Sequence, residues 1–557
     1  MNSSTYLHKT PEDSRPGFLS RERIIAGPGF NRWLVPPCAL AIHLCIGMAY
    51  GFSVFWLPLS RTLGISEPVS CQPGAGFLHQ LFTTTCDWEI STLGWLYTLF
   101  FVMLGGSAAL LGGWLERVGP RKAGVLSAVC WCGGMIICAL GIRSHQFWLM
   151  LLGAGIIGGI GLGIGYVSPV ATLIRWFPDR RGMATGMAIM GFGGGAMIGS
   201  PLATELMEYF ATDTEVGVYQ TFLCMALVYF VFMMGGALGY RVPPTGWQPA
   251  NWNPPSLPAS TAMVTSHHVH ATRVWRIPQF WMIWMVLCMN VSAGIGVIGI
   301  ASPMLQEVFG GSLIGQDKKF IDLDQNELNA IAGVAAGFTA LLALFNIGGR
   351  LVWASLSDRL GRKTTYSVFF VLGGILYASV PAMAMTGNKI AFVAAFCVIL
   401  SMYGGAFATI PAYLADLFGT QMVGAIHGRL LTAWATAGIL GPVLVNYMRE
   451  YQLALGMPRE QVYNQTMFIL VGLLAIGLLA NLLVRAVHPR HFMTPEELEE
   501  AKRLAKEQAA ASPIVEQAAA PIKPRSQLGL VLAWSAVGLP LCWGVYRTLL
   551  NVENFFP

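Results

Sequence analysis

The segment Gly112-Gly-Trp-Leu-Glu116-Arg117-Val-Gly119-Pro-Arg121-Lys122 returns 242 residues later as Ala354-Ser-Leu-Ser-Asp358-Arg359-Leu-Gly361-Arg362-Lys363, each copy closing a long apolar run. The same shift carries Pro169 to Pro411, Gly182 to Gly424, Gly186 to Gly428 and Gly199 to Gly441. One spacing running through a chain means two copies of one unit. With 54% hydrophobic and 11% charged residues and 64 glycines, the unit is a set of helices packed closely in lipid. The chain reads as an all-α polytopic membrane protein.

A hydrocarbon layer of ~30 Å needs roughly 20 apolar residues per helix. Twelve runs meet this, at 34–59, 90–112, 122–142, 147–173, 182–206, 217–241, 279–303, 329–356, 364–385, 390–414, 424–447 and 465–487, and a thirteenth follows at 527–548. The implied domains are an N-terminal segment (1–33), a six-helix bundle (34–241), a linker (242–278), a second six-helix bundle (279–487), an amphipathic segment (488–526), and an extra helix with its tail (527–557). The basic N-terminal stretch leads into a full-length span, so the first helix is expected to be retained. Lys and Arg gather in the loops on the N-terminal side, whereas the loop between spans 5 and 6 carries Glu205, Glu208, Asp213 and Glu215 and no basic residue. By the short-loop rule the N-terminus and both repeated motifs are cytoplasmic. The net charge of +6 then needs no nucleic acid to explain it.

Nine of the eleven cysteines fall in or beside spans, as small buried hydrophobes do. Cys71 and Cys86 instead bracket the longest outer loop of the first half, where an oxidising compartment is expected to join them. The linker is rich in proline, which argues against packed structure, and ends in His267, His268 and His270. A solvated segment explains these histidines better than a metal site, and no metal or other cofactor is expected. Thr494-Pro-Glu-Glu497 has the N-cap, proline and N3-glutamate chemistry of a helix start, followed by Glu499 and Arg503 at i,i+4.

Two six-helix halves with a G-x-x-x-D/E-R-x-G-x-R/K loop after spans 2 and 8 resemble the major facilitator superfamily of secondary transporters, over residues 34–487. The resemblance implies that the motif loops gate the inner side. Glu116 and Asp358 would be gate acids, with Arg117, Arg121, Arg359, Arg362 and Lys363 around them. Arg175 would pair with Glu116, and Asp416 with the basic residues of the second loop. Glu116 in place of Asp and Pro120 after the glycine depart from the pattern in the first copy.

A narrower resemblance is to the oxalate/formate antiporter family. It rests on Arg175-Trp-Phe-Pro-Asp-Arg-Arg-Gly-Met-Ala-Thr-Gly186, Gly194-Gly-Gly-Ala, Asn346-Ile-Gly-Gly-Arg350, Ala415-Asp-Leu-Phe-Gly419 and Gly424-Ala-Ile-His-Gly-Arg429-Leu-Leu-Thr-Ala-Trp434. It implies an arginine of helix 8, here Arg350, as ligand of a substrate carboxylate.

The chemistry points the same way. A carrier of small anions must replace the water around a carboxylate, and an isolated charge at mid-membrane costs several kcal/mol. Arg350 lies about 10 Å inside the span by helix rise, and its side chain leans toward the membrane centre. Its counterpart in the first half is Ala108. Asn346 lies one turn deeper on the same face. Arg429, by contrast, leans toward the cytoplasm and can snorkel. Tyr50, Tyr166 and Tyr403 offer hydroxyls to a cavity wall, each having ordinary packing as its alternative. His43 is a candidate for proton coupling, against a packed neutral histidine. Where oxalate exchangers of the family carry a helix-11 lysine, this chain has Trp434, which would narrow the cavity and favour a monocarboxylate, or a dicarboxylate carried with a proton.

The expected function is secondary transport of small organic anions, monocarboxylates such as formate, pyruvate or lactate, across the inner membrane by rocking of the two halves. The alternatives are a true oxalate:formate exchanger and a transporter-fold sensor that binds carboxylates without moving them. No P-loop, paired intramembrane carboxylates or serine–histidine set suggests an enzyme. The lone arginine argues against efflux of cationic drugs. The partners expected are a small carboxylate and membrane lipid, with no nucleic acid, around a monomer.

Overall fold

The computed structural model describes residues 17–64, 69, 71, 77–244, 246–250, 263–500, 503 and 527–553. Among them, thirteen helices are long and apolar enough to cross a membrane. We number them α1 (Val35–Ile46, continued as a 3-10 helix over Gly47–Phe55), α2 (Ile90–Val118), α3 (Pro120–Arg143), α4 (Phe147–Trp176, with a π segment at Leu151–Gly158), α5 (Arg181–Phe210), α6 (Val218–Gly239), α7 (Pro278–Phe309), α8 (Gln325–Leu360), α9 (Arg362–Met385), α10 (Lys389–Phe418), α11 (Val423–Ala454), α12 (Asn464–Leu483) and α13 (Gln527–Glu553). Successive helices alternate in direction, so the N-terminal segment and both repeated motifs share one end of the bundle, the motif end.

Each helix starts and stops for local reasons. Gly119 and Gly361, at φ 81° and 82°, end α2 and α8 in a backbone region that side chains with a Cβ resist, which explains a glycine at the same motif position in both copies. At the start of α8, Asp324 and Glu327 form a reciprocal capping box. The α1 helix tightens to 3-10 at Gly47 because two glycines bring it onto α5. A Cβ on Gly47 would lie 2.2 Å from the Phe192 carbonyl, and one on Gly195 would lie 2.4 Å from the Leu44 carbonyl.

Helices α1–α6 pack among themselves, as do α7–α12, and the two sets meet along two seams, α2 with α11 and α5 with α8. The seams are built alike. A Cβ on Gly428 of α11 would meet the Ala108 carbonyl of α2 at 2.2 Å, and one on Gly186 of α5 would meet the Arg350 carbonyl of α8 at 2.7 Å. These two contacts are the same contact under the 242-residue shift. The absence of side chains there lets backbones approach closely, as in other lipid-embedded bundles.

The thirteenth helix lies along one seam, packed on α8, α5 and α1. The Trp534 indole donates to the Trp33 carbonyl (3.1 Å), and Arg547 pairs with Glu205 (2.9 Å). Leu528, Val531, Leu532 and Leu539 remain exposed, as lipid-facing residues do.

Outside the spans, one segment shows structure that composition did not suggest and another follows its sequence pattern. The proline-rich part of the linker at 251–262 lies outside the described residues. Its end is packed, with Val269 and Val274 fully buried. The reason is backbone pairing: the N–H groups of Thr265 and Val269 donate to the carbonyls of Asp416 and Phe418 at the end of α10, and Val269 bridges to Phe492. Beyond it, Thr494 and Glu497 exchange side-chain and backbone hydrogen bonds, so a helix starts where the Thr-Pro-Glu-Glu pattern places it. Most of the amphipathic segment after residue 500 is outside the described residues. At the end of the bundle opposite the motifs, Cys71 and Cys86 form a disulfide. Beside it the Asp87 carboxylate accepts from the N–H groups of Leu63, Gly64 and Val69.

Candidate functional site

At the motif end, both motif acids cross from one half to the other. Asp358, at the end of α8, accepts from the N–H groups of Gly182 (2.8 Å) and Met183 (3.0 Å) in the first turn of α5. Those amides lack intrahelical acceptors and sit at the positive end of the helix dipole, so a carboxylate satisfies both needs. Glu116, at the end of α2, makes the corresponding contact with Gly424 N–H (2.9 Å) in the first turn of α11, and is also paired with Arg175. Gly182 and Gly424 are counterparts under the repeat shift, so the two locks are the same device used reciprocally. Asp416 joins them, accepting from Arg181 (2.9 Å) across the seam and from Arg362 (3.1 Å) within its own half. Arg362 also pairs with Asp358 (2.6 Å).

The other basic residues of the motifs lie elsewhere. Arg121 donates to the carbonyls of Phe18 (3.1 Å) and Leu238 (3.0 Å), and Lys363 to those of Leu482 and Val484 (both 2.8 Å). These bonds tie helices within one half. Arg117 and Arg359 are exposed, with no ion pair among the described residues.

Ten residues before the end of α8, Arg350 is 1% exposed. Its Nε donates to Asn346 Oδ1 (3.2 Å) and one terminal nitrogen to the Ile189 carbonyl of α5 (2.8 Å); the other terminal nitrogen has no partner. Gly193 makes this reach across the seam feasible, since a Cβ there would stand 2.9 Å from Arg350 Nε. Three rings surround the guanidinium, those of Tyr50, Phe192 and Phe407, with centroids 5.9, 6.0 and 5.9 Å from its carbon. Such contacts soften the burial of a cation without discharging it.

Trp434 of α11 fills the centre, fully buried, against Tyr50, Phe101, Tyr166, Phe192 and Phe407 at 4.6–6.1 Å between ring centroids. The structure therefore brings Arg350, Asn346, Tyr50, Tyr166 and Trp434 to one place. Tyr403 joins them through Phe407 (5.3 Å), and the Tyr50 hydroxyl faces both Tyr403 and Arg350. The Tyr166 hydroxyl and the Trp434 N–H are buried without a hydrogen-bond partner, and the Tyr50 and Tyr403 hydroxyls, also buried, have only each other and Arg350 within loose reach. Buried polar groups are normally satisfied. Here several donors are left open around one cation, which is the arrangement that an anion completes.

Sequence reasoning placed Tyr50, Tyr166, Tyr403 and Trp434 at a cavity and missed the phenylalanines of the wall, Phe101, Phe192 and Phe407, and His427. Phe192 was reachable, because it is the counterpart of Trp434 under the repeat shift. Phe407 carried no comparable signal. His43 stands behind the wall, toward the motif end, with His427 of α11 in the same layer; the ring centroids of both lie within 6 Å of Tyr166.

A two-half helical bundle with reciprocal acid-to-helix locks at one end and a caged cation at its centre defines a transporter scaffold. Residues 40–442 match the model of the Major Facilitator Superfamily, and the chain belongs to that family as a multi-pass transmembrane transporter. Among curated relatives it is similar to the oxalate:formate antiporter of Oxalobacter formigenes, 26% identical over 74% of this chain and 83% of that one. It is also similar to apicoplast pyruvate carrier 1 of Toxoplasma gondii, 23% identical over 70% of this chain and 78% of that one. Among solved structures, the transporter FucP in its outward conformation matches with a TM-score of 0.53 and 12% identity, over 82% of this chain and 100% of FucP. A bacterial homologue of ferroportin in the outward-facing state matches at 0.51 and 16%, over 81% and 98%. These two establish the fold alone.

Proposed function

We propose that the protein carries small organic anions, monocarboxylates such as formate, pyruvate or lactate, across the inner membrane by alternating access. The observation that supports this most is Arg350. It is a buried cation with no carboxylate partner among the described residues, and one free guanidinium edge is ringed by unpartnered donors. Removing the partner of a buried ion pair costs roughly 3–5 kcal/mol, so a site left this way favours an anion that supplies the missing half. The relatives include one named for oxalate and formate and one for pyruvate, which fits the same chemical class.

The motif end is the cytoplasmic end in this reading. With both locks engaged there, the bundle is closed on that side, and residues 34–241 rock against 279–487 as a monomer in lipid. Trp434 fills the space beside Arg350 and places no second charge there, which favours one carboxylate over two. Exchange of oxalate for formate is the second reading, supported by the first relative's name.

The test is purified protein in liposomes, following labelled formate, pyruvate, lactate and oxalate in counterflow, wild type beside Arg350→Ala. Saturable uptake that the variant loses supports the reading. Uptake of none of these acids by wild type, or full uptake by the variant, overturns it.

A further inference from the structure

His43 of α1 is fully buried, and both of its ring nitrogens face carbonyl oxygens. Nδ1 lies against the Ala188 carbonyl of α5, and Nε2 lies 3.2 Å from the Tyr166 carbonyl of α4. A neutral imidazole has one N–H and one lone pair, so it can satisfy only one of these oxygens and must turn a lone pair toward the other. Imidazolium satisfies both. The acceptor pair is thus built by the backbone.

The acceptors also connect His43 to Arg350. Ala188 and Ile189 are consecutive in α5; the first carbonyl takes His43 and the second takes Arg350. Among the described residues, the titratable or charged groups facing His43 are Arg350 from α8, Tyr166 from α4 and His427 from α11. From α5 come carbonyls and Phe192. On the sides of α3 and α6, Cys132 and Tyr229 face Cys45 instead; α13 brings Arg547, which is held by Glu205, and an exposed Cys542. No acid among the described residues faces His43. Complete burial away from water is what most opposes a second proton on it, the Arg350 cation adds to that opposition, and the two carbonyls favour the proton.

We propose that His43 is the site of a proton that binds together with the substrate anion. The proposal rests on the reading of Arg350 as the carboxylate ligand. When a carboxylate pairs with Arg350, the opposing charge is cancelled, and the nearby anion together with the carbonyl pair offsets the burial that otherwise keeps a second proton off His43. By linkage, a proton on His43 strengthens anion binding by the same factor. His43 is seven residues before Tyr50, and His427 seven before Trp434, so each lies about 10 Å by helix rise from that residue toward the motif end, with Tyr166 between the two levels. His427 is three residues beyond Gly424, which Glu116 holds. Release of that lock opens this layer to water on the motif side, which gives the proton its way out with the substrate.

The experiment uses the full chain in liposomes, wild type beside His43→Gln, with the carboxylate that wild type moves best. Glutamine keeps a donor for one carbonyl and cannot take a proton in the accessible range. Counterflow at equal pH on both sides reports binding and rocking; uptake driven by an imposed pH gradient, with acidification of the source side, reports coupling. Carboxylic acids of this kind are ionised above about pH 5, so pH dependence between 5.5 and 8 belongs to the protein. We expect wild type to accumulate substrate with the gradient and to gain affinity as pH falls. His43→Gln should keep counterflow at saturating substrate, with an affinity that no longer rises as pH falls, and lose about tenfold or more of the accumulation driven by a gradient of one pH unit. Gradient-driven uptake that survives in His43→Gln, or a wild type indifferent to the gradient, overturns the proton site while leaving the carboxylate reading in place. Should His43→Gln fold poorly, proton release from detergent-solubilised wild type on adding and removing substrate decides instead: no proton taken up per anion bound overturns the proposal. Absence of counterflow in wild type overturns both readings together.

Discussion

The motif end and the centre of this bundle obey the repeat differently. At the motif end the 242-residue shift turns one lock into the other: Glu116 holds Gly424, and Asp358 holds Gly182. At the centre the same shift fails at almost every position. Arg350 corresponds to Ala108, Asn346 to Leu104, Tyr50 to Ser292, Tyr403 to Gly161, Phe407 to Gly165 and His43 to Met285; only Trp434 and Phe192 match in kind. The duplicated scaffold supplies the symmetric parts, two seams and the acid contacts at their ends. The proposed anion chemistry lies where one copy departed from the other, as a single carboxylate would need one cation and have no use for its mirror image.

The largest effect should come from removing that departure. Arg350→Ala turns the centre into a purely neutral cage and is expected to abolish uptake, a loss of at least about 100-fold if a charge-assisted pair worth roughly 3 kcal/mol is removed. Arg350→Lys sharpens the point: a lysine keeps the charge but lacks the fork that reaches Asn346 and Ile189 while presenting a free edge. Substantial loss in the lysine variant as well, read as counterflow rate, would show that geometry as well as charge defines the site. Full activity in the Arg350→Lys protein would reduce the site to a point charge.

Breaking the symmetric part should have the next largest effect, and an unequal one. Asp358 accepts two amides and Arg362, whereas Glu116 accepts one amide and Arg175. Hydrogen bonds to charged groups contribute about 1.5–3 kcal/mol each, so Asp358→Asn should release the motif end further than Glu116→Gln. Reactivity of a cysteine placed at Thr185, whose hydroxyl donates to the Ala408 carbonyl across the seam at 2.6 Å, measures the opening. Equal labelling in the two variants would mean that the locks are energetically interchangeable despite their different partners.

The same contrast explains what the sequence disclosed. The fold was legible because duplication wrote it twice: apolar runs named the helices, paired glycines, one proline pair and the acid motifs named the two halves, and the motifs named their shared end, whereas the seams between the halves came only with the structure. Arg350 was legible because an unmatched charge in an apolar run has few explanations. The extent of the cage was not legible, since Phe407 and Phe101 are ordinary apolar residues in spans full of them, and only their convergence on Trp434 distinguishes them. The linker misled for a different reason. Proline content reports on local propensity, whereas Thr265 and Val269 are held by carbonyls of α10, about 150 residues away along the chain. His43 stood out as a histidine, but the two carbonyls that give it meaning belong to α4 and α5.

A selectivity change should follow from restoring charge at the centre. Trp434→Lys is expected to raise oxalate uptake relative to formate or pyruvate by about tenfold, the equivalent of roughly 1.4 kcal/mol of differential binding, through a second cation and the space left by the indole. The ratio of initial rates at fixed concentration is the readout. An unchanged ratio would mean that size and charge at this position do not choose between one carboxylate and two.

The smallest effect concerns the one part of the scaffold with no repeat at all. Helix α13 covers the α5/α8 seam while the α2/α11 seam has no such cover among the described residues, so the two seams that duplication made alike are no longer alike toward lipid. Its polar ties, Trp534 to Trp33 and Arg547 to Glu205, both run to the first half, whereas much of its apolar face lies on α8. During rocking, α13 must keep one set and slide over the other, and the directional contacts are the ones a slide would break. It should therefore travel with the first half. Trp534→Phe removes one hydrogen bond, worth about 0.5–1.5 kcal/mol, and Arg547→Gln an exposed ion pair worth about 0–1 kcal/mol. Together they should lower the thermal unfolding midpoint slightly and leave the counterflow rate near wild type. A large fall in rate without a fall in stability would instead make α13 part of the moving machinery, and the asymmetry of the centre would then extend to the seams.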